Sequence, residues 1–193
     1  MPSEKTLNLP NSITVLRFFL AIIVFAMIDR GGWWIATAVL FVIAVATDVL
    51  DGYIARKYNI VTTFGRIVDP FVDKFITTGV FLFLLPISQQ SGVTAWMVIA
   101  VLAREMLVTS LRGFLEQKGH DFSASGWGKL KMFLQCAGAT AALLLMDERL
   151  RTVPGLLLTR DLLLWLMTIV TVYTGWIYIV RAASILRKES QSE

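Results

Sequence analysis

Six long apolar runs, parted by short polar connections, set the plan of this chain. A helix needs about 20 mainly apolar residues to cross the hydrocarbon core of a bilayer. The runs predict six spanning helices over about 12–28, 33–56, 69–87, 94–117, 128–146 and 160–186. Pro10 and Asn11 read as the start of the first, with Asn11 as its N-cap. The Asp69-Pro70 pair reads as the start of the third. There is no internal repeat and no low-complexity segment. The expected fold is all-α: one domain over 1–193, a membrane bundle of six helices. Only the first few residues and the tail "RKESQSE" read as disordered.

Composition agrees with that reading. Hydrophobic residues make up 56% of the 193, and mean hydropathy is +0.67. Soluble domains lie nearer ~45–50% apolar. The first run is followed by Asp29, Arg30 and two tryptophans rather than a small-residue cleavage site, so it reads as a retained span. A single cysteine, Cys136, excludes an intramolecular disulfide and reads as packing.

Charge then sets the orientation. Six spans put both termini on one side. Of the 18 lysines and arginines, 14 fall on or near that side and 4 on the other. The positive-inside rule makes it the cytoplasm. Trp33, Trp34 and Trp96 fall near the outer boundary and Trp127 near the inner one, as interfacial anchors do.

One stretch breaks the apolar pattern: "TDVLDGYIARKYNIVTTFGRIVDPFVDK", residues 47–74. Asp48 and Asp51 are three residues apart, and Asp69 and Asp73 four apart, so each pair shares a helix face. A link over 57–68 would let the two helix ends lie side by side and the pairs converge. Four converging anions raise one another's pKa, and intramembrane acids are costly. A divalent cation relieves the cost. Hard oxygen ligands suit Mg²⁺, Mn²⁺ or Ca²⁺, and four carboxylates suffice for two ions, an arrangement suited to phosphoryl chemistry. Gly52 leaves room for a ligand at the backbone. Arg56 offers a planar fork for phosphate. The bland alternative is a solvated loop with helix-capping acids. Asp69 alone, at a helix start, would fit that alternative.

The spacing Asp48-x2-Asp51-Gly52-x2-Ala55-Arg56-x8-Gly65-x3-Asp69-x3-Asp73 resembles the signature of the CDP-alcohol phosphatidyltransferase family, with every position filled. The resemblance implies a six-span fold, commonly a homodimer, in a bacterial inner membrane. It implies that a CDP-linked lipid, usually CDP-diacylglycerol, passes its phosphatidyl group to an alcohol while CMP leaves. Carried over by position, Asp48, Asp51 and Asp69 are metal ligands for Mg²⁺ or Mn²⁺. Asp73 lies close to the metals and is the general base. Gly52, Ala55, Arg56 and Gly65 line the CDP moiety. Asn11 and Thr14, in "NLPNSITVLR", border the nucleotide or are plain helix-start residues.

Which alcohol accepts is read from "AREMLVTSLRGFLEQKGHDFSASGWGKLKMFLQ", residues 103–135. Arg104, Arg112, Lys129 and Lys131 are cations beside an acid cluster and suit an anionic acceptor. Arg181 is a further candidate phosphate contact, or a positive-inside anchor. Snorkelling cations and an Arg112–Glu105 pair are the structural alternative. Glycerol 3-phosphate fits, its phosphate at the cations and its primary hydroxyl at Asp73. The stretch also resembles the phosphatidylglycerophosphate synthase branch of the family, departing from it at Met132. Other acceptors weighed are inositol phosphate, serine and phosphatidylglycerol. From another class, a divalent-cation transporter also uses intramembrane acids. No nucleic-acid partner is expected. His120, the only histidine, reads as an exposed loop residue.

Overall fold

The computed structural model describes residues 9–58, 63–119 and 126–189, with side chains described for 11–47, 68–119 and 126–187. Among the described residues every regular element is helical. The long helices are α1 (Leu9–Arg30), α2 (Trp34–Tyr58), α3 (Thr63–Leu84), α5 (Ala95–Gln117), α6 (Gly126–Leu144) and α8 (Leu156–Glu189). Two single-turn helices, α4 (Ser88–Ser91) and α7 (Glu148–Arg151), sit in connections. Of the tail 187–193, expected to be disordered, residues 187–189 continue α8, because the helix runs on past its apolar stretch. Residues 190–193, the first residues 1–8 and His120 lie outside the described residues.

The six expected helices are present, with two corrections at their starts. α1 begins at Leu9, so Asn11 is inside the first turn rather than its cap. Proline is tolerated there because the first-turn N–H groups have no intrahelical partner. α3 begins at Thr63 and carries Pro70 in its interior. Proline there removes one backbone hydrogen bond but does not end the helix. Asp69 therefore lies well within α3, and the dipole at a helix start does not explain it. α2 and α3 together also occupy most of the stretch expected as a link, 57–68. Both acid pairs thus sit on helices.

The connections have local causes. Gly31 and Gly32 adopt φ of 69° and 85° between α1 and α2, a left-handed region that favours glycine. The Thr94 side chain caps α5 by accepting from Met97 N at 3.4 Å.

One apolar core joins all six long helices, with Val24, Phe41, Phe81, Val101, Leu143 and Met167 among its buried members. α1 packs between α2 and α3, and α8 lies against α5 and α6. Phe25 of α1 rests in a flat slot on α3, its ring 5.0 Å from Phe83 and 5.3 Å from Phe75. The outside is apolar too: Phe19, Ile23, Ile43, Leu162, Ile169 and Trp176 are exposed. The segments 11–30, 68–91 and 156–187 are long and apolar enough to cross a membrane. α5 and α6 carry the charges that form the site described next.

Candidate active site

Asp69 and Asp73 are one turn apart on α3 and are held by two side chains of α1. Thr14 Oγ1 donates to Asp69 Oδ1. Arg17 Nη1 donates to Asp73 Oδ1 at 2.8 Å. Thr14 and Arg17 are buried at 1% exposure each and sit three residues apart, so adjacent turns of α1 serve adjacent turns of α3. The Arg17 guanidinium also reaches α2, where its Nε lies 3.5 Å from Thr47 Oγ1. Thr47 directly precedes Asp48. Arg17 therefore ties the acid-bearing stretches of α2 and α3 at one level.

Of the remaining signature residues, only the helix that carries each is described. Asp48, Asp51, Gly52, Ala55 and Arg56 occupy the last turns of α2, and Gly65 the first turn of α3. Their side chains lie outside those described. Among the described residues, no group of three or more His, Cys, Asp or Glu is arranged to hold a metal. The donor chemistry nevertheless fits a hard divalent cation. The α3 pair offers carboxylate oxygens oriented by buried donors, and the α2 pair starts one residue after the Arg17 contact. Outer hydrogen bonds of this kind fix ligand orientation in metal sites. Asn11, 4% exposed, is also buried on the first turn of α1.

A polar cavity of about 630 Å³ opens beside Asp73, among α3, α5, α6 and α8. Asp73, Lys74 and Thr77 line one wall, Arg104, Glu105 and Arg112 a second, and Lys129, Lys131 and Gln135 a third. Tyr178 of α8 closes it, under the Arg104 guanidinium at 5.4 Å from the ring centre. Four of the five expected acceptor cations thus share one cavity with Asp73. Arg181 is exposed on α8 and is not among the lining residues.

The charges in the cavity are not equivalent. Glu105 does not pair with Arg112. It accepts from Arg104 Nη1 at 3.1 Å and from Lys131 Nζ on α6. Seven residues along a helix amount to about 10 Å of rise, whereas the facing helix brings Lys131 into contact. Lys74 donates to Thr109 across α3 and α5. By contrast, Arg104 Nε and Arg112 Nε are buried donors with no partner among the described residues. Buried donors are nearly always paired, and both side chains line the cavity. A second, apolar cavity of about 820 Å³ adjoins between α3 and α5, sharing Pro70, Lys74, Glu105 and Thr109 with the first.

Arg17, Thr47, Gln135 and Tyr178 were not legible as site residues from sequence. Arg17 had a signal, a cation inside an apolar run, but it reads equally as topological charge. The other three are ordinary helix residues until their neighbours are known.

The described residues form a bundle of apolar helices, three with segments long and apolar enough to cross a membrane, with an acid pair beside a cation-lined cavity. The chain belongs to the CDP-alcohol phosphatidyltransferase family, whose sequence model matches residues 7–177. It is similar to the CDP-diacylglycerol–glycerol-3-phosphate 3-phosphatidyltransferase of Bacillus subtilis, at 37% identity over 188 residues, covering 89% of this chain and 93% of that one. The protein of the same name from Rickettsia typhi is 36% identical over 173 residues, covering 89% and 94%.

Proposed function

We propose that the protein transfers the phosphatidyl group of CDP-diacylglycerol to glycerol 3-phosphate, giving phosphatidylglycerophosphate and CMP. The observation that carries this reading is the single cavity holding Asp73 together with Arg104, Arg112, Lys129 and Lys131. The names of the similar proteins support the same donor and acceptor. The adjoining apolar cavity suits a lipid whose head reacts in the polar one.

The roles follow from position. Arg112 and Lys129, with Arg104 Nε, bind the acceptor's phosphate. Its primary hydroxyl then faces Asp73. Arg17 holds the Asp73 carboxylate toward the cavity, and Asp73 takes the hydroxyl proton. The hydroxyl oxygen bonds to the phosphatidyl phosphorus as the bond from phosphorus to the CMP oxygen breaks. Gly52, Ala55, Arg56 and Gly65 receive the CDP moiety, with Asn11 and Thr14 at its border. Mg²⁺ or Mn²⁺ held by Asp48, Asp51, Asp69 and Asp73 would neutralise the pyrophosphate and stabilise departing CMP. Thr14 fixes the orientation of Asp69 for that purpose.

In this reading all six long helices span the membrane, a bacterial inner membrane, as a homodimer. Both termini and the cavity mouth face the cytoplasm, where glycerol 3-phosphate is water-soluble and the donor's tails stay in the bilayer. The test is Asp73→Asn. Turnover is lost while binding of CDP-diacylglycerol persists. Near-normal turnover in that variant overturns the assignment.

A further inference from the structure

We propose that Gln135 is a specificity-determining residue that reads the acceptor's second, non-reacting hydroxyl. The inference rests on the acceptor reaction proposed above.

Gln135 is 2% exposed and lines the polar cavity. Its Nε2 is buried and has no partner among the described residues. Lys131 lies one turn earlier on the same face of α6, and its charge is met by Glu105. The same stripe of α6 thus carries a neutralised cation and a cavity-lining side chain whose buried amide donor has no partner among the described residues. A buried amide left unpaired is a cost that folded proteins avoid, and the cavity is where this one finds its acceptor.

The chemistry of the ligand narrows which oxygen that is. Glycerol 3-phosphate brings three functions: a phosphate, a reacting primary hydroxyl and one secondary hydroxyl. The phosphate is matched by cations, since Arg104 and Arg112, whose Nε donors have no partner among the described residues, line the same cavity as Lys129. The reacting hydroxyl must give its proton and so faces the Asp73 carboxylate. The secondary hydroxyl is neutral and accepts through a lone pair. A neutral amide N–H is its natural partner, and Gln135 Nε2 is the uncharged one of the three unpartnered donors on these cavity-lining side chains. A site built to bond a hydroxyl rejects the analogue lacking it, because its own donor is then left unpaired.

The test compares kcat/KM for glycerol 3-phosphate and for 3-hydroxypropyl phosphate, which lacks only the secondary hydroxyl. Both are measured on the same sample of wild type, Gln135→Met and Gln135→Leu, so any inactive fraction cancels in the ratio. Wild type should prefer glycerol 3-phosphate by about tenfold to hundredfold. Both variants should bring that ratio to within about threefold, chiefly by losing activity on glycerol 3-phosphate. Gln135→Leu is the shorter apolar replacement and serves if Gln135→Met does not fold. A ratio unchanged in the variants, or an equal loss on both acceptors, overturns the assignment. A wild type that turns over both acceptors alike overturns it too, and leaves the acceptor reaction standing. No turnover of glycerol 3-phosphate by wild type overturns the acceptor reaction itself, and Gln135's role with it.

Discussion

Arg17 donates to Asp73 across 2.8 Å from a guanidinium side chain that is fully buried, while the Asp73 side chain keeps 27% of its surface exposed. The cation is the fixed partner and the carboxylate the one turned toward the cavity. That asymmetry suits an acid which must be oriented yet reachable. It also links α1, α2 and α3 through one side chain, since Arg17 Nε lies 3.5 Å from Thr47 Oγ1.

Arg17→Ala removes a buried partner and leaves Asp73 without its guanidinium donor. Breaking a buried pair costs ~3–5 kcal/mol, and the partial exposure of Asp73 puts this one at or below the low end. Turnover should fall at least about a hundredfold, the scale of losing oriented catalytic geometry. Arg17→Lys keeps the charge but not the fork, and should recover part of the stability and less of the turnover. Thermal unfolding in detergent and initial rates check both. Wild-type values in Arg17→Ala would show that the contact does nothing.

Thr14→Val deletes the hydroxyl that holds Asp69 and keeps the shape. Loss of an outer hydrogen bond on a metal ligand typically costs ~10–100-fold in metal affinity. The Mg²⁺ concentration for half-maximal rate should therefore rise by about tenfold, with little change in the rate at saturation. A metal titration of wild type and variant reads this directly, and coincident curves would remove Thr14 from the site.

Arg112→Ala should raise KM for glycerol 3-phosphate by about tenfold or more, the worth of a charge-assisted hydrogen bond. KM for CDP-diacylglycerol should stay put, because the residue lies on the acceptor side of Asp73. Initial rates with each substrate varied in turn separate the two. An effect on the lipid alone would reverse the proposed assignment of the cavity.

Gly79→Ala tests the packing that carries the site. A Cβ at Gly79 would lie 2.1 Å from Phe25 Cζ, and Phe25 is gripped by Phe75 and Phe83. Overpacking of this kind costs ~1–3 kcal/mol, so the unfolding temperature should drop. Phe25→Leu in the same chain should restore part of it. An unshifted unfolding temperature for Gly79→Ala would mean that α1 and α3 are not in close contact there.

Sequence carried the local half of this site and missed the tertiary half. The spacings of Asp48 and Asp51, and of Asp69 and Asp73, are properties of single helices, so the pattern along the chain already implied shared faces. Apolar length likewise found all six long helices. The ends were harder. Asp69-Pro70 reads as a helix start, yet α3 runs through it from Thr63, because packing of a long helix outweighs one missing backbone bond. Partner choice was not legible at all. An Arg112–Glu105 pair on one helix was the structural alternative, but α6 delivers Lys131 to Glu105. Arg17 counted as one charge among many until α1 was packed between α2 and α3. Gln135 stood out only as a cavity-lining residue with a buried, unpartnered donor.

Transfer at Asp73 to an anionic acceptor held by the neighbouring cations is the proposed reaction. The most direct measurement gives purified wild-type protein CDP-diacylglycerol, Mg²⁺ and, separately, glycerol 3-phosphate, inositol phosphate, serine and phosphatidylglycerol, and follows CMP release. Release is expected with glycerol 3-phosphate alone, matched by phosphatidylglycerophosphate formed. Release with another acceptor and none with glycerol 3-phosphate would contradict it.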